Sequence, residues 1–336
     1  MPDLLTHAPD PVDPGEAADA REDERHIKRH VNGKFLIGAA VLTFMILFAI
    51  FGPMIAQFDP RISGDNPVLA PPDSTYWMGT TSLGHDVFSQ MATGARTSLL
   101  IGVIAGLIAV TLSILFGVVA GYVGGVTDEV LTLIIGVMLV IPGLPLTIVI
   151  SSAVPGRSGL LVAVILGITG WAGAAVVLRS QAQSLRNRDY VAASRIAGEN
   201  PFRVIGVEVL PNLLPLLTGQ FLFGVIFAIL GEAGLSYLGL GPTGSISWGT
   251  ILNDANSGYA LQSGAWWWFL PPGIAVALVG MSLALINFAV DEVINPKLRS
   301  APLEARRLRK AKAEKKAIAK ADKQAAKDEK KAEAQA

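Results

Sequence analysis

Glu232 is the one acid set inside an apolar run, "FAILGEAGLSYLGLG", and His7, His26, His30 and His85 are the chain's four histidines. A carboxyl group in lipid could bind a polar solute, and a histidine there could relay protons or serve a hydrolase. All four histidines fall outside the apolar stretches, which argues against a buried proton relay, a retinal-type counter-ion and a histidine-based intramembrane hydrolase. Glu232 lies near the outer end of its run and keeps two readings: it contacts a substrate, or it caps and braces the bend before "SYLGLG". No stretch matches G-x-x-x-x-G-K-[ST], so the phosphate cradle of an ATP-hydrolysing subunit is missing and no enzyme activity is expected. With no cysteine, disulfides, thiolate metal sites and cysteine nucleophiles are excluded.

The elements that must position these groups are membrane helices. Hydrophobic residues make up 51% of the chain and charged residues 16%, against about 25% charged in an ordinary soluble domain. Six apolar runs are long enough to cross a bilayer, at residues 35–56, 98–123, 130–152, 159–181, 213–234 and 267–290. Continuous stretches such as "LLIGVIAGLIAVTLSILFGVVA" lack the period-two alternation of barrel strands, so the fold expected is an all-α six-helix membrane bundle.

Basic residues near span ends stay on the cytoplasmic side. Arg21, Arg25, Lys28, Arg29 and Lys34 precede the first span, Arg186, Arg188, Arg195 and Arg203 lie between the fourth and fifth, and Lys297 and Arg299 follow the sixth. Both termini and the segment 189–212 are therefore expected in the cytoplasm, in a multi-pass membrane protein. Trp266, Trp267 and Trp268 open the last span on the outer side, where amphipathic rings favour the interface. Three regions result: a cytoplasmic tail over 1–33, a transmembrane domain over 34–300, and a charged Ala/Lys/Glu-rich tail over 301–336 that cannot bury a core of its own. The last could touch anionic lipid head groups or simply be solvated.

Gly102 with Gly106, and Gly117 with Gly121, recur at a four-residue spacing that permits close helix approach. In "IPGLP", Pro142 and Pro145 each remove a backbone donor and should kink or open the third span, either to line a pathway or to fit a neighbouring helix. The outer loops, 57–97 and 239–265, are long enough to fold against the bundle and meet a partner, though their composition supports only partial order; Trp248 reads as an anchor in the turn-rich "GPTGSISWG".

The stretch "DYVAASRIAGENPFRVIGVEVLPN", 189–212, interrupts the lipid pattern. Tyr190 to Ala197 can make two helical turns ended by Gly198; Asn200 is a good N-cap, Pro201 suits the first helical position, and Phe202, Ile205 and Val209 recur at helical spacing until Pro211 interrupts. Helix, glycine turn, helix on the cytoplasmic surface fits either an interfacial pair lying on membrane lipid or a docking element for a cytoplasmic subunit. Tethered at both ends to spans, it could hardly enter a DNA groove, so no nucleic-acid partner is expected.

These residues resemble the cytoplasmic loop of ABC importer permeases, whose pattern is E-A-A, then Gly, then Leu-Pro. Ala192, Ala193 and Ser194 occupy the E-A-A positions, Gly198 matches the glycine, and Leu210, Pro211 and Asn212 match the end; Ala192 replaces the usual glutamate and Glu208 stands where histidine is common. The chain is further similar, over roughly 33–299, to the C-type permease subunit of the dipeptide, oligopeptide and nickel importers, through "WMGTTSLGHDVFSQMATGARTSLLIG" from Trp77, "GEAGLSYLGLG" from Gly231, "SWGTILNDA" from Ser247 and "NPKLR" from Asn295. His85 and Gln90 stand where that family commonly carries arginine. The resemblance implies a type I ABC importer bundle working by alternating access beside a homologous B-type permease. It also implies two cytoplasmic ATP-binding subunits, which would hold ATP and magnesium while this chain holds no cofactor, and an extracytoplasmic solute-binding protein. Tyr190, Ala192, Ala193, Ser194, Gly198, Pro201 and Phe202 would form the coupling element, and di- or oligopeptides would be the cargo. Nickel complexes or other small solutes, a self-contained secondary transporter, and a membrane scaffold are the alternatives.

Overall fold

The structure, a computed structural model, describes residues 14–62 and 66–294, with side chains over 33–292. The two tails, "NPKLR" and the basic side chains ahead of Gly33 lie outside the described side chains. Among the described residues every named element is helical, and one isolated bridge pairs Thr80 with Asp86.

Helix α1 is Pro14–Ile55. α2, Val87–Ser113, runs through a π-helical turn, Ile114–Val118, into α3, Val119–Val123. Gly124, at φ +74°, then turns the chain into α4, Gly125–Val140. α5 is Gly143–Ala153, α6 Gly159–Gly170 and α7 Ala172–Arg186. α8, Asp189–Ile196, and α9, Pro201–Val204, follow, and a second π-helical turn, Ile205–Val209, leads into α10, Leu210–Tyr237. α11, Trp248–Ser257, and α12, Trp266–Ile294, complete the order.

Four stretches are long and apolar enough to cross a membrane unbroken: Gly33–Ile55, Val87–Val123, Pro201–Tyr237 and Trp266–Glu292. Two more form bent pairs, Gly125–Val140 with Gly143–Ala153 at 83° and Gly159–Gly170 with Ala172–Arg186 at 48°, which gives six spans if each pair counts as one. The first break falls in "IPGLP", where Pro142 leaves the Met138 carbonyl without its i+4 donor. The second, at Gly170, has no proline behind it. There the Ser113 hydroxyl, just ahead of the first π turn, lies 2.9 Å from the Trp171 carbonyl and 2.6 Å from that of Ala109. Pro211 does not interrupt the helix as its sequence position suggests. It sits in the first turn of α10, directly after a wider turn in which the Leu210 N–H reaches back to the Ile205 carbonyl; the wider turn keeps the ring off the preceding backbone.

Without water between helices, close packing supplies most of the cohesion. The glycine spacing does serve it. A Cβ on Gly117 would lie 2.3 Å from the Ala175 carbonyl oxygen and one on Gly121 2.4 Å from that of Arg179, so this end of the second span lies directly on α7. Gly102 and Gly106 admit Ile229 and Val225 of α10 in the same way. One apolar cluster joins α1, α2, α10, α11 and α12 through Met45, Met91, Ile229, Trp248, Trp268 and Val279. A second joins the first π turn, α7, α8 and the start of α10.

Among the described residues, the two loops expected on the outer side are better ordered than their composition suggests. Asp86 caps α2 by accepting from the Ser89 N–H, 2.8 Å away, and the Thr80 N–H donates to the Ala70 carbonyl at 2.9 Å. Ser247 and Thr250 form a capping box that starts α11 in the second loop. Trp248 is wholly buried and its indole N–H donates to the Met91 carbonyl, so it anchors the loop to the bundle. Of the three tryptophans that open α12, Trp266 is exposed, Trp267 donates to the Thr80 carbonyl, and Trp268 belongs to the core rather than to a membrane interface.

Candidate functional site: the surface loop and its mount

Asp189 places an acid in the first turn of α8, where the helix dipole favours negative charge. The helix ends in a Schellman arrangement: the Gly198 N–H donates to the Arg195 carbonyl and the Glu199 N–H to the Ser194 carbonyl, each at 3.1 Å. Gly198 takes φ +79°, and nothing lies within 4 Å of a Cβ built there, so backbone conformation rather than crowding calls for glycine. Asn200 then caps α9 by accepting from the Phe202 N–H at 2.9 Å, with Pro201 at the first helical position. Arg203 pairs with Glu199 across the turn. Gly198→Val is expected to cost about 1–2 kcal/mol locally, while Gly198→Asn, whose side chain tolerates positive φ, costs less. Limited proteolysis in detergent should therefore cut Gly198→Val fastest near 196–200, and equal cleavage of both variants would rule out backbone conformation as the reason for glycine.

The loop stands on a built base. Val191 of α8 is buried with Val118, Leu178, Val204, Val209 and Leu213, so the end of the second span, α7 and the foot of α10 share one core with the loop. The Arg195 guanidinium lies over the Tyr122 ring, 5.9 Å from its centroid. Beside this base, Arg179 of α7 forks onto Asp128 of α4, with Nε 2.6 Å from Oδ1 and Nη2 2.8 Å from Oδ2, and Gln183 Nε2 adds a 3.3 Å contact. The helix leading into the loop is thus tied to the first half of the third span.

The opposite side of the loop is open, with large apolar side chains set among exposed polar ones such as Arg195, Asn200 and Arg203. Ile196 is 87% exposed and Phe202 79%, so both protrude from the tip; Tyr190 and Val207 are exposed beside them. Of the residues expected to couple, Tyr190, Ala193, Gly198, Pro201 and Phe202 reach the surface, whereas Ala192 and Ser194 are half-buried. Phe202 does not share a face with Ile205 and Val209: it is exposed at the tip while they are buried, and the π turn over Ile205–Val209 shifts the helical phase between those two. The sequence reading passed over Ile196 and Val207, although large apolar residues on an otherwise polar loop are a usable signal.

Glu232 is wholly buried and braces the end of the bundle that carries the 239–265 loop. Its carboxyl oxygens accept from Ser236 Oγ of its own helix at 2.6 Å, from Ser247 Oγ at the cap of α11 at 2.6 Å, and from Ser98 Oγ of α2 at 3.3 Å. Ser98 Oγ in turn accepts the Trp248 N–H at 3.1 Å. Among the described residues no group of three or more His, Asp or Glu could hold a metal ion.

A mostly helical chain with four to six spanning segments, two of them broken, and an ordered loop mounted on three spans is the architecture of a multi-pass membrane permease. Residues 113–300 match the family described as binding-protein-dependent transport system inner membrane component, and the chain belongs to that family. More narrowly, residues 32–72 match the N-terminal transmembrane domain of oligopeptide transport permease C. The chain is similar to the dipeptide transport system permease protein of Bacillus subtilis, with 34% identity over 277 residues that cover 82% of this chain and 85% of the relative. It is also similar to the oligopeptide transport system permease protein of the same organism, at 33% over 267 residues, covering 79% and 86%. A dipeptide transport system permease protein of Haemophilus influenzae is 31% identical over 275 residues, covering 79% and 90%.

Proposed function

We propose that this chain is the C-type permease subunit of an ATP-driven peptide importer. Its relatives carry peptide-transport names along most of their length. The observation that carries the mechanism is the loop: a capped, apolar tip whose base is shared with the second, fourth and fifth spans. In this reading the loop lies in the cytoplasm, and two ATP-binding subunits supply ATP and magnesium from outside this chain. A groove on one of them receives the tip residues Tyr190, Ala192, Ala193, Ser194, Gly198, Pro201 and Phe202, joined by Ile196. Closure of those subunits on ATP pushes the tip, and the shared core passes the displacement to the spans as alternating access.

A homologous B-type permease stands beside the 34–300 domain, and a solute-binding protein delivers cargo to the outer loops that Glu232 and Trp248 hold in place. Both tails, 1–33 and 301–336, face the cytoplasm of a plasma-membrane protein. Affinity purification of the chain from its native membrane is expected to recover a second permease and two nucleotide-binding subunits with ATPase activity, in a complex that takes up labelled dipeptide. Recovery of the chain alone or as a homo-oligomer would point to a self-contained carrier, and recovery of the complex with uptake of a nickel chelate but not of peptide would reassign the cargo.

A further inference from the structure

Both span breaks open onto the same space. A cavity of about 550 Å³ is lined by Gly143 and Thr147 just past the first break, by Thr169 and Gly170 at the second, and by Gln220 and Gly224 of α10. Each break falls near the middle of its bent span, and Gln220, within about one turn of the middle of the apolar run 213–234, lines the same cavity, so the three meet near mid-depth. Irregular backbone at that depth cannot face hydrocarbon, because its freed carbonyls and N–H groups would go unsatisfied; it persists only against protein or water. The Gln220 side chain is half-buried and makes no hydrogen bond among the described residues. A primary amide offers two donors and a carbonyl, and leaving them all unmet in lipid is costly. The Thr147 and Thr169 hydroxyls donate to carbonyls of their own helices and keep lone pairs free on the cavity side.

We infer that this cavity is a water-filled solute site in the transport path, and that Gln220 with the two broken helix ends recognises neutral amide groups of a peptide-sized solute. The proposal rests on the reading of the chain as a transport permease. Its wall is mostly Ala, Val, Leu and Phe side chains, among which Gln220, Thr147, Thr169 and the glycine backbone supply the polar groups, and it carries no charged side chain. Such a wall hydrogen-bonds a peptide main chain whatever side chains the peptide carries. The volume suits one small ligand at a time, within the roughly 300–1,000 Å³ of ordinary ligand sites. Broken helices near the midplane hold the solute in other transporters for the same physical reason.

The chain's lack of cysteine makes the test direct. In the assembled complex in lipid nanodiscs, Gln220→Cys is expected to react with a charged, water-soluble methanethiosulfonate at least about ten-fold faster than Phe44→Cys or Met281→Cys, on the exposed mid-span faces of α1 and α12. In proteoliposomes Gln220→Leu is expected to cut dialanine uptake at least about ten-fold in complexes that still purify with their ATP-binding subunits, and Gln220→Asn to restore part of it. Labelling of Gln220→Cys no faster than the two mid-span controls overturns the proposal. So does wild-type dialanine uptake by Gln220→Leu. If the wild-type complex imports no peptide at all, the peptide reading fails separately and the labelling rates alone decide whether the cavity holds water.

Discussion

Glu232→Ala is expected to unfold far more easily than wild type, by about 4 kcal/mol. Three hydrogen bonds to the carboxyl group contribute about 1 kcal/mol each, and the emptied volume adds about 1 kcal/mol more. At about 2–4 °C per kcal/mol, the unfolding midpoint in detergent should fall by roughly 10 °C. The loss is local before it is global, since Ser247 would lose an acceptor at the cap of α11, and the second outer loop should be the first segment opened to protease. Glu232→Gln keeps the volume and one carbonyl acceptor, so about 1 kcal/mol is expected. A midpoint for Glu232→Ala within about 1 °C of wild type would mean that the three serines do not depend on this side chain.

The paired substitution Ile196→Asp with Phe202→Asp is expected to abolish ATP-coupled uptake while leaving the fold intact. Both side chains are largely exposed on this chain, so their replacement removes little internal packing. If each is buried in a groove of an ATP-binding subunit, each contributes about 1.5–3 kcal/mol. Losing both weakens docking by more than about 100-fold. The measurement is the amount of ATPase subunit that co-purifies, read beside the unfolding midpoint of the permease. Unchanged co-purification would remove the tip from the contact, and a lowered midpoint would assign these residues to stability.

What could be read from residue types was whatever rests on local rules. The break at "IPGLP" follows from two missing donors, the loop's turn from Gly198, Asn200 and Pro201 in succession, and the close helix contacts from glycines four apart. Features set by tertiary contact were not legible. The bend at Gly170 has no proline, and Ser113, 58 positions away, reaches the Trp171 carbonyl there. The π turns leave no composition signal, which is why Ile205 and Val209 were read at α-helical spacing and why Pro211 looked like a stop. The cavity needed four segments distant in sequence, so Gln220 passed unnoticed as one amide in an apolar helix.

The loop tip satisfies its own backbone: carbonyls at the end of α8 by the Gly198 and Glu199 N–H groups, and the start of α9 by Asn200. A partner that docks there meets a surface already folded, and spends little free energy on ordering it. Calorimetry of such docking should show the negative heat-capacity change of apolar burial without the large unfavourable entropy of coupled folding. The connection then behaves as a stiff joint, able to transmit a push as well as a pull.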